Sequence, residues 1–126
     1  MLPIRILLVD DSPEFLETAT RFLSADARIE IAGRALSGAD AIEQVARVHP
    51  DLVLMDWGMP GMSGLEATHR IKAGPGAPGV VIVTLHDDIE YRGAAQAAGA
   101  DGYVTKSEFG QALFPLIHAL FGDPVR

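Results

Sequence analysis

An α/β domain on a five-stranded parallel sheet is what the sequence predicts, and three observations predict it. Apolar runs alternate with helical patterns five times along the chain. The runs at Ile4 to Val9 (IRILLV), Leu52 to Met55 (LVLM) and Val80 to Val83 (VVIV) are near-continuous, as parallel strands covered on both faces require. The chain has 126 residues, 48% of them apolar, which suits one well-formed core and not two.

Each element follows from its own pattern. Ile4 to Val9, Leu52 to Met55 and Val80 to Val83 belong in the centre of the sheet. Arg28 to Ile31 alternates, with Ile29 and Ile31 on one face and Arg28 and Glu30 on the other, which suits a half-exposed edge. Gly102 to Thr105 is short and suits the opposite edge. Ser12 is an N-cap with Pro13 at the first helical position, followed by Phe15, Leu16, Ala19, Phe22 and Leu23 on one face. Ser37 to Val48 repeats that pattern through Ala41, Ile42, Val45 and Val48. Gly64 to Lys72, Ile89 to Ala98 and Glu108 to Phe121 supply the remaining helices, and GPGAPG at Gly74 to Gly79 is a loop. In the last helix Pro115 predicts a kink or a later start, Leu113, Leu116, Ile117 and Leu120 form a core stripe, and Phe114 and Phe121 lie on its flank. Right-handed crossovers with the two weaker strands at the edges give a (βα)5 three-layer sandwich of strand order 2-1-3-4-5.

Composition excludes several classes of function. The absence of cysteine rules out a disulfide framework and a thiolate metal site. The opening MLPIRILLVDDSP lacks the long apolar region of a secretory signal, and no run reaches the ~18 apolar residues of a membrane span. The expectation is a cytoplasmic domain with no membrane role. The net charge is −7, the arginines are scattered and the only lysines are Lys72 and Lys106, so direct nucleic-acid binding is disfavoured.

In a 2-1-3-4-5 sheet the topology reverses between strands 1 and 3, and ligands bind at that point beyond the carboxyl ends of the strands. Strand 1 ends on Asp10 and Asp11, strand 3 on Asp56, strand 4 on Thr84, and strand 5 on Thr105 and Lys106. Three adjacent carboxylates resist burial unless a cation neutralises them, and oxygen ligands without His or Cys select Mg²⁺ or Mn²⁺. His49, His69, His86 and His118 are not spaced as a metal set. The site then suits attack by Asp56 on a phosphoryl donor, with the cation, Lys106 and the Thr84 hydroxyl on the phosphoryl oxygens. Gly58 offers a backbone carbonyl to the cation, and Pro60 with Gly61 fixes the turn.

Together these stretches resemble a known family. DD at positions 10 and 11, MDWGMPGMSG around Asp56, VTLHDD from Val83 and AGADGYVTK ending at Lys106 resemble the CheY-like receiver domain of two-component response regulators over nearly the whole chain. The resemblance implies a flavodoxin-like fold and Mg²⁺-dependent phosphoryl transfer from a histidine kinase or phosphotransfer protein to Asp56, then hydrolysis. It assigns the cation to Asp11, Asp56 and the Gly58 carbonyl, with Asp10 acting through water. It makes Thr84 and Tyr103 a switch pair that reshapes the face of helix 4, strand 5 and helix 5, a surface for partners or a homodimer, with helix 5 alone as the other dimer surface.

Two positions depart from the family pattern. Ser107 stands after Lys106 where most receivers have proline, so that bond is expected to be trans, and bulky Leu85 follows the switch hydroxyl. With TLHDDIEY and AGADGYVTKSE these features resemble the LuxR/NarL-type subgroup, whose receivers normally precede a DNA-binding domain. Residues 1–126 are accordingly expected to form the receiver, either standing alone or cut from a longer regulator whose output domain controls transcription. Trp57, Leu85 and His86 are expected on the rim, where they tune the rate, with the indole partly exposed. A flavin site is disfavoured because DDSPEF offers acids to a phosphate, and Gly58 stands where an aspartyl phosphatase needs a second acid. The expectation is a phosphoacceptor and not an enzyme acting on external substrates, and its nearest alternative is an interaction module that works without phosphorylation.

Overall fold

The computed structural model describes residues 3–85 and 89–122, and in it strands and helices alternate along the chain. The elements are β1 (Ile4–Val9), α1 (Pro13–Ser24), β2 (Ile29–Ala35), α2 (Gly38–Val48), β3 (Leu52–Asp56), α3 (Gly64–Ala73), β4 (Gly79–Thr84), α4 (Ile89–Ala97), β5 (Gly102–Thr105) and α5 (Phe109–Phe121), with a 3-10 turn at Lys106–Glu108. All strand pairs are parallel and the order is β2-β1-β3-β4-β5, the flavodoxin-like arrangement. Among the described residues no helix is long and apolar enough to cross a membrane.

The near-continuous apolar runs are explained by two cores, one on each face of the sheet. Ile6, Leu8, Leu54, Val81 and Val83 face α1 and α5, where Leu16, Leu23, Leu113 and Ile117 close the layer. Leu7, Val9, Val53, Met55 and Ile82 face the other helices and pack with Ala41, Ala67, Ile71 and Ala95. Alternate residues of one strand therefore serve opposite cores, and Arg5 near the start of β1 is the one charged residue before the ends of β1, β3 and β4. Serine sets the start of three helices: the Ser12, Ser37 and Ser63 hydroxyls accept the N–H groups of Phe15, Asp40 and Glu66 at 3.1–3.2 Å.

The structure departs from the sequence reading in β2 and α5 and adds a buried polar residue in α2. β2 runs on to Ala35, because a bulge opposite Ile6 and Leu7 absorbs one residue and lets Gly33 through Ala35 rejoin the ladder. Gln44 is buried within the apolar face of α2, where its amide donates to the Arg34 carbonyl at 2.8 Å and to Asp40 at 3.1 Å. In α5 the helix begins at Phe109 and passes through Pro115, so Pro115 does not mark its start, and the carbonyl left without a donor is that of exposed Gln111, where water can reach it. Of its expected stripe, Leu113 and Ile117 are buried, Leu116 is half-buried and Leu120 is exposed. On the flank Phe114 is half-buried against Phe22, with ring centroids 5.1 Å apart, and Phe121 is exposed.

This difference is measurable. Leu113→Ala is expected to cost about 2–4 kcal/mol in urea unfolding, through lost burial and the cavity left behind. Leu120→Ala should cost less than about 1 kcal/mol. Equal losses would place Leu120 back in the core.

Candidate functional site

Strand register assembles the site. Val9 pairs with Met55, Asp56 with Val83 and Thr84 with Thr105. Because the strands are parallel, the residues that follow these pairs emerge on one rim: Asp10 and Asp11 after β1, Asp56 at the end of β3, Thr84 at the end of β4 and Lys106 after β5. One carboxylate oxygen from each of Asp10, Asp11 and Asp56 lies within 4.8 Å of the other two. Asp10 and Asp56 are buried at 1% and 6% exposure, whereas Asp11 is exposed. A cleft of about 210 Å³ opens over Asp11 and Asp56, with Gly58, Thr84 and Lys106 also in its wall.

Lys106 is the counterion within this cluster. Its Nζ lies 2.8 Å from Asp10 Oδ2 and 3.5 Å from Asp56 Oδ1. Burial opposes the lysine charge, but the two carboxylates outweigh it and raise the lysine pKa. Asp56 is pushed up to about 6, first by burial and then by the Asp10 charge, against the pull of Lys106. One ammonium thus does not neutralise three acids. Asp10 Oδ1 accepts the Ser12 N–H at 2.8 Å, while Oδ2 is buried and lacks a hydrogen bond of good alignment despite the nearby ammonium. A set of three hard oxygen ligands that one ammonium does not neutralise fits a divalent cation of the Mg²⁺ type.

The turn after Asp56 is held by close backbone packing. Gly64 begins α3 and donates its N–H to the Trp57 carbonyl at 3.0 Å. A Cβ at Gly64 would sit 2.0 Å from the Asp56 carbonyl oxygen, so only glycine lets α3 start against the acid's own backbone. Trp57 is half-buried beside the cleft, as its place next to Asp56 predicts, and its ring meets Tyr91 of α4 edge-on with centroids 4.6 Å apart.

The other expected residues divide by position. Thr84 is buried at the cleft and Leu85 is exposed at its mouth. Tyr103 does not line this cleft: it lies on β5 with the Arg92 guanidinium 4.6 Å from its ring centroid. His86 lies outside the described residues. Sequence reasoning missed two participants. Tyr91 had no signal, since nothing in the pattern of α4 singles it out. Phe15 packs on the core with the apolar face of α1, as its spacing predicts, and its ring centroid also lies 4.4 Å from the Lys106 ammonium.

Comparison with known proteins decides the family. Residues 6–118 match the model of the response regulator receiver domain. The chain belongs to that family. The receiver is 42% identical over 99 residues to protein-glutamate methylesterase/protein-glutamine glutaminase 4 of Myxococcus xanthus, covering 78% of this chain and 28% of that protein. It is 35% identical over 117 residues to response regulator GacA of Pseudomonas viridiflava, covering 93% and 53%. In structure it is similar to a LuxR-family two-component response regulator from Aurantimonas sp. SI85-9A1, with a TM-score of 0.88, 35% identity, and 94% and 84% of the two chains covered. The LuxR-type resemblance therefore stands, and the receiver spans about half or less of the curated relatives named here.

Two outcomes follow for the receiver's stability. Asp56→Asn removes a charge that burial and Asp10 disfavour, so in chelator it is expected to raise Tm by a few degrees, equivalent to about 1–2 kcal/mol. A lower Tm would mean that Lys106 already balances the cluster. Gly64→Ala forces backbone against backbone and should cost about 2–3 kcal/mol in the same thermal scan. An unchanged midpoint would show that α3 can shift away freely.

Proposed function

We propose that the receiver accepts a phosphoryl group on Asp56, in a reaction that needs Mg²⁺ or Mn²⁺, from a histidine kinase or a phosphotransfer protein. The observation that carries this reading is the rim itself: Asp56 lies in an open cleft, within 4.8 Å of two further acids and 3.5 Å from Lys106. An Asp56 carboxylate oxygen attacks phosphorus, the donor's P–N bond breaks, and its electron pair leaves on the imidazole nitrogen, giving an acyl phosphate on Asp56. Lys106 neutralises charge on the transferring group, and the Thr84 hydroxyl donates to a phosphoryl oxygen. A cation would be held by Asp11, Asp56 and the Gly58 carbonyl, with Asp10 through water, and would supply positive charge for the phosphoryl oxygens. Water later cleaves the P–O bond and restores the carboxylate.

Signalling follows from the Thr84 movement. With its hydroxyl drawn to the phosphoryl group, space opens behind β4 for Tyr103 to turn inward, which changes the face of α4, β5 and α5. That face, or α5 alone, is the homodimer and partner surface in this reading. Likeness to a LuxR-family regulator and to a relative named a transcriptional regulatory protein supports an output in transcription through an output domain, and in this reading the receiver acts in the cytoplasm and makes no direct nucleic-acid contact itself. The receiver is a phosphoacceptor in this scheme and not an enzyme for external substrates.

The deciding experiment is intact mass after incubation with acetyl phosphate and Mg²⁺. Wild type is expected to gain one phosphoryl group, Asp56→Asn none, and wild type in EDTA or Asp11→Ala essentially none. Full labelling of Asp56→Asn would move the nucleophile elsewhere, and labelling without a cation would refute the assigned ligands. A wild type that stays unlabelled would favour an interaction module independent of phosphate.

A further inference from the structure

Lys106 has a third neighbour besides its two carboxylates. Its Nζ lies 4.4 Å from the centroid of the Phe15 ring, inside the range of about 6 Å over which a ring face attracts a cation. The ring reaches that point through one cap turn. Asp10 Oδ1 accepts the N–H of Ser12, and the Ser12 hydroxyl accepts the N–H of Phe15, so a single turn delivers both a carboxylate and a ring to the ammonium. On its other side the Phe15 ring meets Phe109 edge-on, with centroids 5.4 Å apart and planes at 76°. Phe109 is buried, touches Phe22 at 5.8 Å, and directly follows the Lys106–Glu108 turn. That turn is itself fixed where the Thr105 hydroxyl donates to Glu108 at 2.8 Å. Ring and lysine are therefore braced by the same short segment.

We propose that Phe15 is a positioning residue for phosphorylation, its ring holding the Lys106 ammonium over the acceptor cleft. This rests on the reading of Asp56 as acceptor. Carboxylates alone would draw the lysine toward Asp10, which at 2.8 Å is nearer than Asp56 at 3.5 Å. A ring face attracts the charge without taking a directional hydrogen bond, so the three N–H donors stay available to oxygen. When the phosphoryl group arrives, Lys106 can turn from Asp10 to the new oxygens while the ring still holds it. The contact is electrostatic at the ring face, which separates it from the packing that Phe15 also provides.

The test varies the electrostatics of the ring while keeping its shape. Phenylalanine carrying one, two or three fluorines is placed at position 15, and the rate of phosphorylation by acetyl phosphate with Mg²⁺ is measured beside the Lys106 ε-methylene proton shifts. The rate is expected to fall in steps with each fluorine, by about threefold to tenfold across the series, with Tm nearly constant. Phe15→Leu should lose the upfield ring-current shift of the ε-methylene protons and slow the reaction, and Phe15→Tyr should restore both. A rate independent of fluorination, or ε-methylene shifts equal in wild type and Phe15→Leu, would overturn the proposal. Failure of the parent reading looks different: wild type would take no phosphoryl group at all, which removes the role in the reaction even where the ring-current shift persists.

Discussion

Burying two carboxylates beside a third, with one ammonium for all of them, is the constraint on which the rest of the structure depends. Each buried ion costs several kcal/mol in lost hydration, and a partner returns that cost only where geometry is good. Lys106 meets the requirement for Asp10 and reaches Asp56 less closely. The remaining imbalance appears as the raised pKa of Asp56 and as the Asp10 oxygen left without an aligned donor. Such an arrangement is poor as a stability device and good as a receptor for added positive charge. It holds in place what a cation and a phosphoryl group would otherwise have to organise on arrival.

Parallel pairing is what makes the cluster possible. Antiparallel neighbours would send alternate strand ends to opposite rims, whereas here β1, β3, β4 and β5 all deliver their last residues to one rim. The ladders between them then fix relative height, with Asp56 level with Val83 and Thr84 level with Thr105. A slip of one residue would turn Asp56 into one of the apolar cores, so the two cores enforce the register and through it the geometry of the acids. Gly64 adds a lock from the far side, because α3 begins against the Asp56 backbone with no room for a side chain.

These relations explain what was legible in the sequence. Continuous apolar runs ending in Asp10, Asp56 and Thr84 report burial on both faces and rim position at once, so fold, strand order and the residues of the rim could be read without coordinates. The length of β2 could not, because its bulge puts Ala32 out of the alternating phase and Gly33 reads as a breaker. Gln44 was hidden for a related reason: a polar residue on an apolar helix face counts against burial until its partner, the Arg34 carbonyl of the bulged strand, is known. Phe15 was placed on the correct face, but its second neighbour, Lys106, was not legible. Helical periodicity says that a ring points inward, but a contact between the first turn of α1 and the turn after β5 depends on sheet order and not on local spacing.

The same economics explain why the central strands, apart from Arg5 near the start of β1, contain no polar residue before their ends. Full burial of one Val, Leu or Ile side chain contributes about 1.5–3 kcal/mol, so the cost of two buried carboxylates consumes the gain from several core residues. Ile6, Leu7, Leu52, Val53, Met55, Val80, Val81 and Ile82 are all at 0% exposure, and they lie in the strands that carry or flank the acids. A half-exposed strand in that position could not offset the charge it delivers. β2 confirms the relation from the other direction: it brings no acid to the cluster, and it is the strand where an exposed Glu30, a bulge and a glycine are tolerated.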